Sequence, residues 1–515
     1  MKKIYGIAAL TAAMTLASCS NDNEPNIVNP GATEKAYINV SLVGADGTTR
    51  ADEFTQDAAV KGNEAKVDHV QFFAFNGQNY IGKSDPITNF VFSAGDDNVD
   101  KKSNRVIEIE KSAVGNNEIT DIICVVNGEN FAPAANSTVA DFRFQLDKYN
   151  QNGDYFVMSN SAYGTGNYTT SFAGKVYSSM LEAEGAPATD IYVERVAARL
   201  DITKGENWPK EAFASGAKVG GKDVMVTITA VDVLRNPNAA YLIKNIDDIT
   251  ETWSWDDSAN FRSHWAAWKT DKTPEIPHIG YSSVANKDFQ YLYENVSAEK
   301  ENQTHVLVTA EYTVAGEKVE VFRSENTGDY VVEEGAKKLV ANYLQNEGYQ
   351  WKKVETVDDQ QKTTTASVDV DDIVIVESGA ANVDWEGVAK INAKDDFKLF
   401  KGETETTVEA VNAEMNAADS KKYKFYKWGG NKTYYYCAIA PKDQGNGKAG
   451  VIRNHVYSVS LDEIQGLGNP LFNPENDLKI KEIPDITVDD SKWYLNATIN
   501  ILKWKVYSQG MSFGK

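Results

Sequence analysis

The chain has 515 residues, of which 24% are charged and 42% hydrophobic, so it is long enough for about two to four domains that each bury a core. Its formal net charge of -22 and isoelectric point near 4.8 argue against nucleic acid as a partner, because an acidic surface repels phosphate groups. The same charge keeps a protein soluble, and we prefer that explanation to an acidic binding site.

The N-terminus carries an export signal. Two lysines precede the apolar stretch "IYGIAALTAAMTLA", which is too short to span a bilayer stably and is followed by polar residues. This stretch runs into "LASC", which resembles a bacterial lipobox. The resemblance implies that residues 1–18 are a lipoprotein signal peptide and that Cys19 carries the lipid. An ordinary secretory signal with a chance cysteine is the alternative. The acidic run after Cys19 resembles signals that send Bacteroidetes lipoproteins to the cell surface.

The first half of the chain reads as a series of short strands. In "AYINVSLV", Ile38, Val40 and Leu42 alternate with polar side chains, which is the period of a strand with one buried face. Polar loops rich in turn residues separate the strands. The further predicted strands are "HVQFFAF", "RVIEIE", "ITDIICVVN", "DYFVMSN" and "YVERVAARLDI".

A second series of strands follows residues 203–223, where Gly, Lys and Pro accumulate without an apolar period and indicate a domain junction. Helical periodicity is sparse, and "TTVEAVNAEMNAADS" is the best candidate for a helix. We therefore predict an all-β chain of two antiparallel β-sandwiches with few short helices, at 51–205 and 206–515. The strands predicted for the second sandwich are "VMVTITAVDVL", "HVLVTAEYTV", "DDIVIVES", "TYYYCAIA" and "GVIRNHVYSVSL".

The C-terminus is a strand with an unexplained end. In "WYLNATINILKWKVYSQGMSFGK", apolar residues alternate from Leu495 to Ile501, and the pattern then slips by one residue and resumes at Leu502. Such a slip predicts a bulge or a change of partner. The first part, up to Ile501, is predicted to pair within its own domain, and the part from Trp504 to Phe513 is left to pair elsewhere.

The residue types that usually carry catalysis or bind metals are scattered. Five histidines, at 69, 264, 278, 305 and 455, stand alone. The carboxylates of "SVDVDDIVIV" and "DITVDDSKW" lack calcium-loop spacing and are expected to lie on solvated faces. No phosphate-binding loop or nucleophile elbow is present. Cys124 and Cys437 lie far apart in apolar contexts, which favours buried free thiols over a disulfide. We predict no catalytic residues, no metal and no cofactor.

Aromatic residues are abundant, with 25 Tyr and 10 Trp. They cluster in stretches such as "HWAAWKT", "YKFYKWGG" and "YYYC". Aromatic rings pack well across strands, and this explains the clusters better than sugar binding does. A surface lipoprotein that binds glycans remains the alternative function.

Five stretches together resemble the fimbrillins of Bacteroidetes type V pili, in particular the Mfa-type major-subunit family. The resemblance covers both halves of the chain in order, and the lipobox and the "LNATINILKW" ending add to it. The five stretches are "FVMSNSAYG", "YVERVAARLDI", "YLYENVSAEKENQTHVLVTAEY", "YYYCAIAP" and "GVIRNHVYSVSLDEIQGLGNP".

The resemblance implies two transthyretin-like β-sandwiches, exported as a lipidated precursor without enzymatic activity. It also implies that an arginine-specific surface protease cuts near the N-terminus, that the first strand is lost, and that a strand of a neighbouring subunit fills the groove. On this sequence the cut falls between Arg50 and Ala51, which makes 19–50 a propeptide. An ordinary surface arginine is the alternative reading of Arg50. The displaced first strand carries Ile38, Val40 and Leu42, and the donor-strand candidates are Trp504, Val506, Tyr507, Met511 and Phe513.

The predicted function is therefore a structural shaft subunit that begins as an outer-membrane lipoprotein and ends in a cell-surface fimbria supporting adhesion. Its expected partners are identical subunits, the protease, minor anchor and tip pilins, and host or bacterial surface receptors. A secreted hydrolase is a third class, which would need a clustered acid and base.

Overall fold

A computed structural model describes the chain over most of its length. No helix in this part of the chain is long and apolar enough to cross a lipid bilayer. The described residues are 34–45, 64, 66–91, 93–94, 99–111, 118–128, 131–143, 146–147, 156–161, 168–204, 211–237, 239–244, 279–281, 289–297, 303–380, 385–439, 449–473, 494–502 and 508–511.

Strands dominate the described residues, which confirms the prediction of an all-β fold with few short helices. The strands are β1 Glu34–Ala45, β2 Val70–Asn76, β3 Asn79–Lys83, β4 Ser93–Ala94, β5 Val99–Lys111, β6 Asp121–Val126, β7 Leu146–Asp147, β8 Met158–Asn160, β9 Thr170–Ser171, β10 Val176–Tyr177, β11 Thr189–Arg195, β12 Ala197–Lys204, β13 Phe213–Val219, β14 Lys222–Leu234, β15 Ala240–Tyr241, β16 Ile279–Tyr281, β17 Phe289–Tyr293, β18 Asn295–Ser297, β19 His305–Val314, β20 Val321–Ser324, β21 Tyr330–Val332, β22 Tyr349–Val357, β23 Gln360–Ser367, β24 Ile373–Glu377, β25 Glu386–Ile391, β26 Lys398–Lys401, β27 Thr404–Thr406, β28 Lys424–Trp428, β29 Lys432–Ala438, β30 Ala449–Val451, β31 Val456–Gln465, β32 Tyr494–Leu502 and β33 Ser508–Met511. The α-helices are α1 Val139–Arg143, α2 Met180–Glu184, α3 Glu333–Asn346 and α4 Val408–Met415, and short 3-10 helices span Val370–Asp372, Lys421–Tyr423 and Gly429–Asn431.

The first sheet closes on itself. Its hydrogen-bonded order runs β1-β11-β8-β6-β2-β3-β5, and β5 pairs again with β1. Phe73 and Phe75 of β2 pack edge-on against Phe142 of α1, with ring centroids 5.1 Å and 4.9 Å apart. These rings, together with Ile38 and Val40 of β1, belong to the first of three large hydrophobic cores among the described residues. The strand β1 is therefore an integral part of the wall around this core.

A nearly continuous strand leads from the first core to the second. Ala197 still lies in the first core, whereas Ala198 lies in the second. The second core lies between the sheets β17-β12-β31-β32-β33 and β13-β14-β19-β29. The strand β13 occupies part of the stretch that the sequence indicated as a junction, and the predicted domain boundary at 205 stays a prediction.

The third core is inserted between two paired strands. β19 pairs directly with β29, from His305 opposite Ala438 to Glu311 opposite Lys432. The chain between them forms two sheets, β21-β20-β28-β25-β24 and β23-β22-β26-β27, around their own buried cluster. The sequence predicted α4 correctly but missed the longer α3, which buries Ala336, Val340, Ala341 and Leu344 in this cluster.

Because this insert has its own core, we expect it to be removable. Arg323 of β20 lies opposite Tyr426 of β28, so a two-residue Asn-Gly turn can join them in place of residues 324–425. This keeps Val321 and Trp428, which belong to the second core. The shortened chain should keep the unfolding midpoint of the other two cores within about 5 °C in calorimetry. An insoluble or unfolded product would show that the insert supports the rest of the fold.

Candidate functional site

The strand β1 has hydrogen-bonded neighbours along both edges. On one side it pairs antiparallel with β5 over its full length, from Glu34 opposite Lys111 to Ala45 opposite Val99. On the other side its first half pairs antiparallel with β10, and its second half pairs parallel with β11. Loss of β1 would therefore leave two strand edges with unpaired backbone groups, and such edges readily accept another strand.

The side chains of β1 alternate between the core and the outer face. Ile38 and Val40 are fully buried and share the first core with Ile107 of β5 and Ile191 of β11. Leu42 lies on the same face by period, and its backbone is in register with Ser103 and Ile191. Burial of Ile38 and Val40 together is worth about 3–6 kcal/mol before entropy is counted. A strand filling the groove must supply comparable apolar side chains.

A short segment after β10 covers the outer side of β1. The side-chain amide of Asn39 donates a 2.8 Å hydrogen bond to the backbone oxygen of Ala186. Between β10 and Ala186 lies α2, whose first turn is capped by the Ser179 hydroxyl accepting from the Glu182 amide. Ala183 of this helix is fully buried. The segment 176–186 thus contacts β1 through its backbone and must adapt to any strand that replaces β1.

Most of the predicted site residues lie outside the described part of the chain. This is true of the lipidation site and the predicted cut, and the structure describes only the backbone of Met511 within β33. Met511 is in register with Ala497 of β32. The residues outside the described ranges are Cys19, Arg50, Ala51, Trp504, Val506, Tyr507, Phe513, His264 and His278.

A buried ionic cluster ties Glu64, fourteen residues after the predicted cut, to the junction of the first two cores. Both carboxylate oxygens of Glu64 accept hydrogen bonds of 2.8 Å from Arg199. Arg199 also donates to Asp201 at 2.8 Å and 3.0 Å. The Tyr291 hydroxyl donates to Glu64 at 3.0 Å. Burial, followed by the negative charge of Glu64, raises the pKa of Tyr291 well above its usual range, so this phenol stays protonated and can donate.

A second buried cluster holds the same junction nearby. Arg453 donates to Glu294 at 2.7 Å and to the backbone oxygens of Leu242 and Tyr241 at 3.0 Å and 2.7 Å. A connecting loop is thereby fixed to the region between β30 and β31. The loop also brings Lys244 to within 3.4 Å of a Glu194 oxygen, with both side chains buried. Charged groups at such depth keep a fixed geometry only when their partners are present.

Neither cluster was predicted from the sequence. Their arginines and carboxylates come largely from "YVERVAARLDI", "YLYEN" and "GVIRNHV", three of the stretches on which the resemblance rested. The available signal was an arginine between apolar residues of a predicted strand, as at Arg199 between Ala198 and Leu200. The solvated reading of "SVDVDDIVIV" was also wrong for Asp372, which is buried and accepts from the Trp351 indole at 2.9 Å.

The described histidines and thiols serve local structure. His305 and His455 each contact, through Nδ1, the backbone oxygen of the residue two positions earlier: Gln303 at 2.8 Å and Arg453 at 2.7 Å. His69 Nε2 lies 2.9 Å from the backbone oxygen of Gly128. Within the described ranges, no group of three or more His, Cys, Asp or Glu is placed to hold a metal ion. Cys124 and Cys437 are buried free thiols, as predicted. Burial raises the pKa of Cys437 to about 12 and raises that of Cys124 further.

A groove of about 400 Å³ lies between β13, the end of β31 and the ring of Tyr330. Its charged side chains are engaged: Lys218 bonds Asp223 at 2.7 Å, and Glu463 accepts from Gln465 at 2.9 Å. The remaining lining is mostly backbone and small side chains. This groove therefore offers no acid and base pair for catalysis.

Comparison with known families gives a match at the C-terminal end. Residues 424–510 match the family described as major fimbrial subunit protein type IV, fimbrillin, C-terminal. The matched stretch runs from β28 into β33 and includes "YYYCAIAP" and "LNATINILKW". The resemblance to fimbrillins expected from the sequence is confirmed there. No curated protein sequence matches the chain.

Several solved structures are similar to this chain at low identity. A Parabacteroides distasonis protein with a proposed role in cell adhesion is 13% identical, with a TM-score of 0.39 over 90% of this chain and 96% of that one. Fimbrilin (FimA) of Porphyromonas gingivalis is 12% identical, with a TM-score of 0.36 over 93% and 99%. The tip fimbrial protein Mfa3 of Porphyromonas gingivalis is 11% identical, with a TM-score of 0.27 over 65% and 99%.

Proposed function

We propose that the chain is a structural shaft subunit of a cell-surface fimbria and polymerises by exchange of its first strand. The fimbrillin match at residues 424–510 supports the fimbrial role. The observation that carries the mechanism is the position of β1, a wall strand of the first core with partners on both edges. A strand so placed can be replaced by another strand of similar pattern, whereas an edge strand could be lost without leaving a groove.

Export proceeds through a lipidated precursor in this proposal. The signal peptide 1–18 is removed, and the lipid attached to the sulfur of Cys19 anchors the precursor in the outer membrane. The lipid and β1 then lie on the same side of the predicted cut, so one cleavage removes the membrane anchor and the first strand together. This coupling makes release from the membrane and readiness to polymerise a single event.

The cut between Arg50 and Ala51 separates β1 from the rest of the chain. β1 ends at Ala45, and the buried carboxylate of Glu64 holds the chain beyond the cut. Before cleavage β1 is held both by its pairing and by the covalent link, because a dissociated strand rebinds at once. After cleavage β1 is a separate peptide, and a neighbouring subunit can displace it.

The displacing strand comes from the C-terminal segment of a neighbour, whose apolar candidates are Trp504, Val506, Tyr507, Met511 and Phe513. Since the donor and the groove are formed by different parts of the subunit, the contact does not close and extends into a fibre. The partners are identical subunits, an arginine-specific surface protease, and minor anchor and tip pilins. Receptors on host or bacterial surfaces are the partners for adhesion. The proposal assigns the protein no catalytic activity.

Replacement of Arg50 by alanine tests this function. The Arg50→Ala chain should persist as an uncut monomer, whereas Lys61→Ala, which removes a basic residue beyond the cut, should mature normally. Mass spectrometry of surface material locates the new N-terminus, and electron microscopy scores filaments. Filaments of normal length from Arg50→Ala would refute the cut, and cleaved chains that stay monomeric and retain polysaccharide would favour the glycan-binding lipoprotein.

A further inference from the structure

The strand β23, Gln360–Ser367, is the free edge of a sheet. It ends the order β23-β22-β26-β27, and its other edge faces no strand of the described chain. The side chains of β23 are exposed along its whole length except at Ala366, which is half-buried. The end strands of the other described sheets have seven residues or fewer, so β23, with eight, is the longest end strand among the described residues.

β23 lacks the features that usually protect such an edge. Proteins block edge strands with proline, a bulge, several charged side chains or a covering loop. β23 contains no proline, its register with β22 is regular over its whole length, and Lys362 is its only charged residue. By contrast β13, at the end of another sheet, has a register shift between Ala214 and Lys218. The outer backbone of β23 is therefore open to another strand.

The turn before β23 determines which of its backbone groups point outward. Asp358 and Asp359 have φ of 53° and 59°, as a type I′ turn requires, and this turn closes on Val357 and Gln360 as a hydrogen-bonded pair. In an antiparallel pair, every second residue bonds to the partner strand, and the residues between direct their N–H and C=O groups away from it. The outward residues of β23 are Gln361, Thr363, Thr365 and Ser367.

We propose that β23 pairs antiparallel with β23 of a second copy of this chain, with the two Thr364 residues facing each other across a two-fold axis. A two-fold contact uses the same surface on both copies, and antiparallel pairing of one strand with itself has this symmetry. In this register Gln361 pairs with Ser367, and Thr363 pairs with Thr365, so every outward residue meets another. A shift by two residues in either direction leaves an outward residue at one end without such a partner.

The charge of the chain favours this edge as the place where two copies meet. The net charge of -22 makes two copies repel each other on approach. β23 carries one charge in eight residues, and the proposed register places Lys362 opposite Ala366 rather than opposite another lysine. Threonines that face each other across strands add favourable side-chain pairs. Asp359 and Asp369 meet just beyond the strand, and their repulsion limits the pairing to β23 itself.

One such contact is weak, because a single strand edge buries little surface against the cost of association. Successive subunits of the proposed filament are joined head to tail, so a two-fold contact links separate filaments. The contact repeats on every subunit, and many weak contacts together hold two filaments side by side. This bundling rests on the proposed fimbrial function, whereas the pairing of β23 can be tested on the uncut precursor.

Thr364→Cys tests the pairing through a disulfide. Facing residues of a non-hydrogen-bonded antiparallel pair have Cα atoms about 4.5 Å apart, within the range that a disulfide spans. Concentrated uncut precursor carrying Thr364→Cys is oxidised and run on a non-reducing gel. We expect a disulfide-linked dimer. Cys124 and Cys437 are buried and do not compete.

The matched control is Thr356→Cys on β22, an exposed threonine one strand away from the edge. In the proposed dimer the two copies of this residue are three strand spacings apart, about 14 Å or more, which is too far for a disulfide. The control should therefore give about tenfold fewer dimers. Equal yields from the two variants, or no dimer from Thr364→Cys, overturn the inference whether or not filaments form.

Thr363→Pro tests the consequence in filaments. The N–H of Thr363 points outward, so proline there removes no bond to β22 but blocks pairing with a second copy. Thr363→Val keeps the N–H and is the control, and equal unfolding midpoints of the two precursors establish that both fold. Filaments of Thr363→Pro should sediment at low speed about tenfold less than those of Thr363→Val. Equal sedimentation overturns the inference, whereas wild-type chains that are cut and yet form no filaments overturn the proposed function and leave the disulfide test to decide the pairing.

Discussion

Replacement of Arg199 by methionine is expected to lower the free energy of unfolding by about 3–5 kcal/mol. The guanidinium of Arg199 is buried and satisfies two buried carboxylates, those of Glu64 and Asp201. Methionine fills a similar volume but takes the positive charge of Arg199 away from both carboxylates. The loss of one member of a buried ion pair costs far more than the pair contributes net, because the remaining charge has also lost its hydration. Urea unfolding of the precursor measures the change.

The control for Arg199→Met is Lys218→Met. Lys218 bonds Asp223 at 2.7 Å, so Lys218→Met also removes a close ion pair, one in which both partners are well exposed. Exposed pairs contribute about 0–1 kcal/mol, so this variant should unfold near the wild-type midpoint. Similar losses for the two variants would show that burial does not govern the Arg199 cluster.

The Arg199 cluster also bears on strand exchange. Glu64 follows the predicted cut, and its carboxylate is held at the junction of the first two cores by Arg199 and Tyr291. In the proposed strand exchange, a chain cut after Arg50 would therefore stay attached to its own subunit from Glu64 onward. The part that would leave ends with β1 at Ala45.

The sequence predicted the strands well because their cause is local. The alternation of Ile38 and Val40 in β1 follows from the pleat of a single strand, and the structure buries both residues. The helix α4 was equally visible, since Thr407 caps it by accepting from the Ala410 amide. α3 lacks such a signal: its N-cap is Val332, which makes no side-chain hydrogen bond, and Gly335 lies in its first turn.

The partners in the buried clusters could not be predicted, because tertiary contacts bring them together. Glu64 meets Arg199 across 135 positions of sequence, and Arg453 meets Glu294 across 159. The sequence around a single carboxylate in an acidic chain does not show whether its side chain faces solvent or a distant arginine. The third core could not be predicted for a similar reason. It is separate from the second core because β19 pairs with β29, and the alternation of residues within each strand does not specify that pairing.

Alanine at Gly468 is expected to destabilise the fimbrillin-matched region by about 2–5 kcal/mol. Gly468 has φ +71°, and a Cβ there would lie 2.8 Å from Tyr435 Cζ, 2.9 Å from the Tyr434 backbone oxygen and closer still to Thr433 Oγ1. The left-handed backbone costs about 1–2 kcal/mol for an L residue, and overpacking adds about 1–3 kcal/mol.

The control is Gly216→Ala. Gly216 has the same φ, +71°, with no atom within 4 Å of such a Cβ, so this variant isolates the backbone cost at about 1–2 kcal/mol. Denaturant midpoints compare the two. Equal losses for the two variants would mean that β29 shifts to admit the methyl group. The hydrogen bond from the buried Trp428 indole to the backbone oxygen of Gly468 would then have to tolerate the same shift.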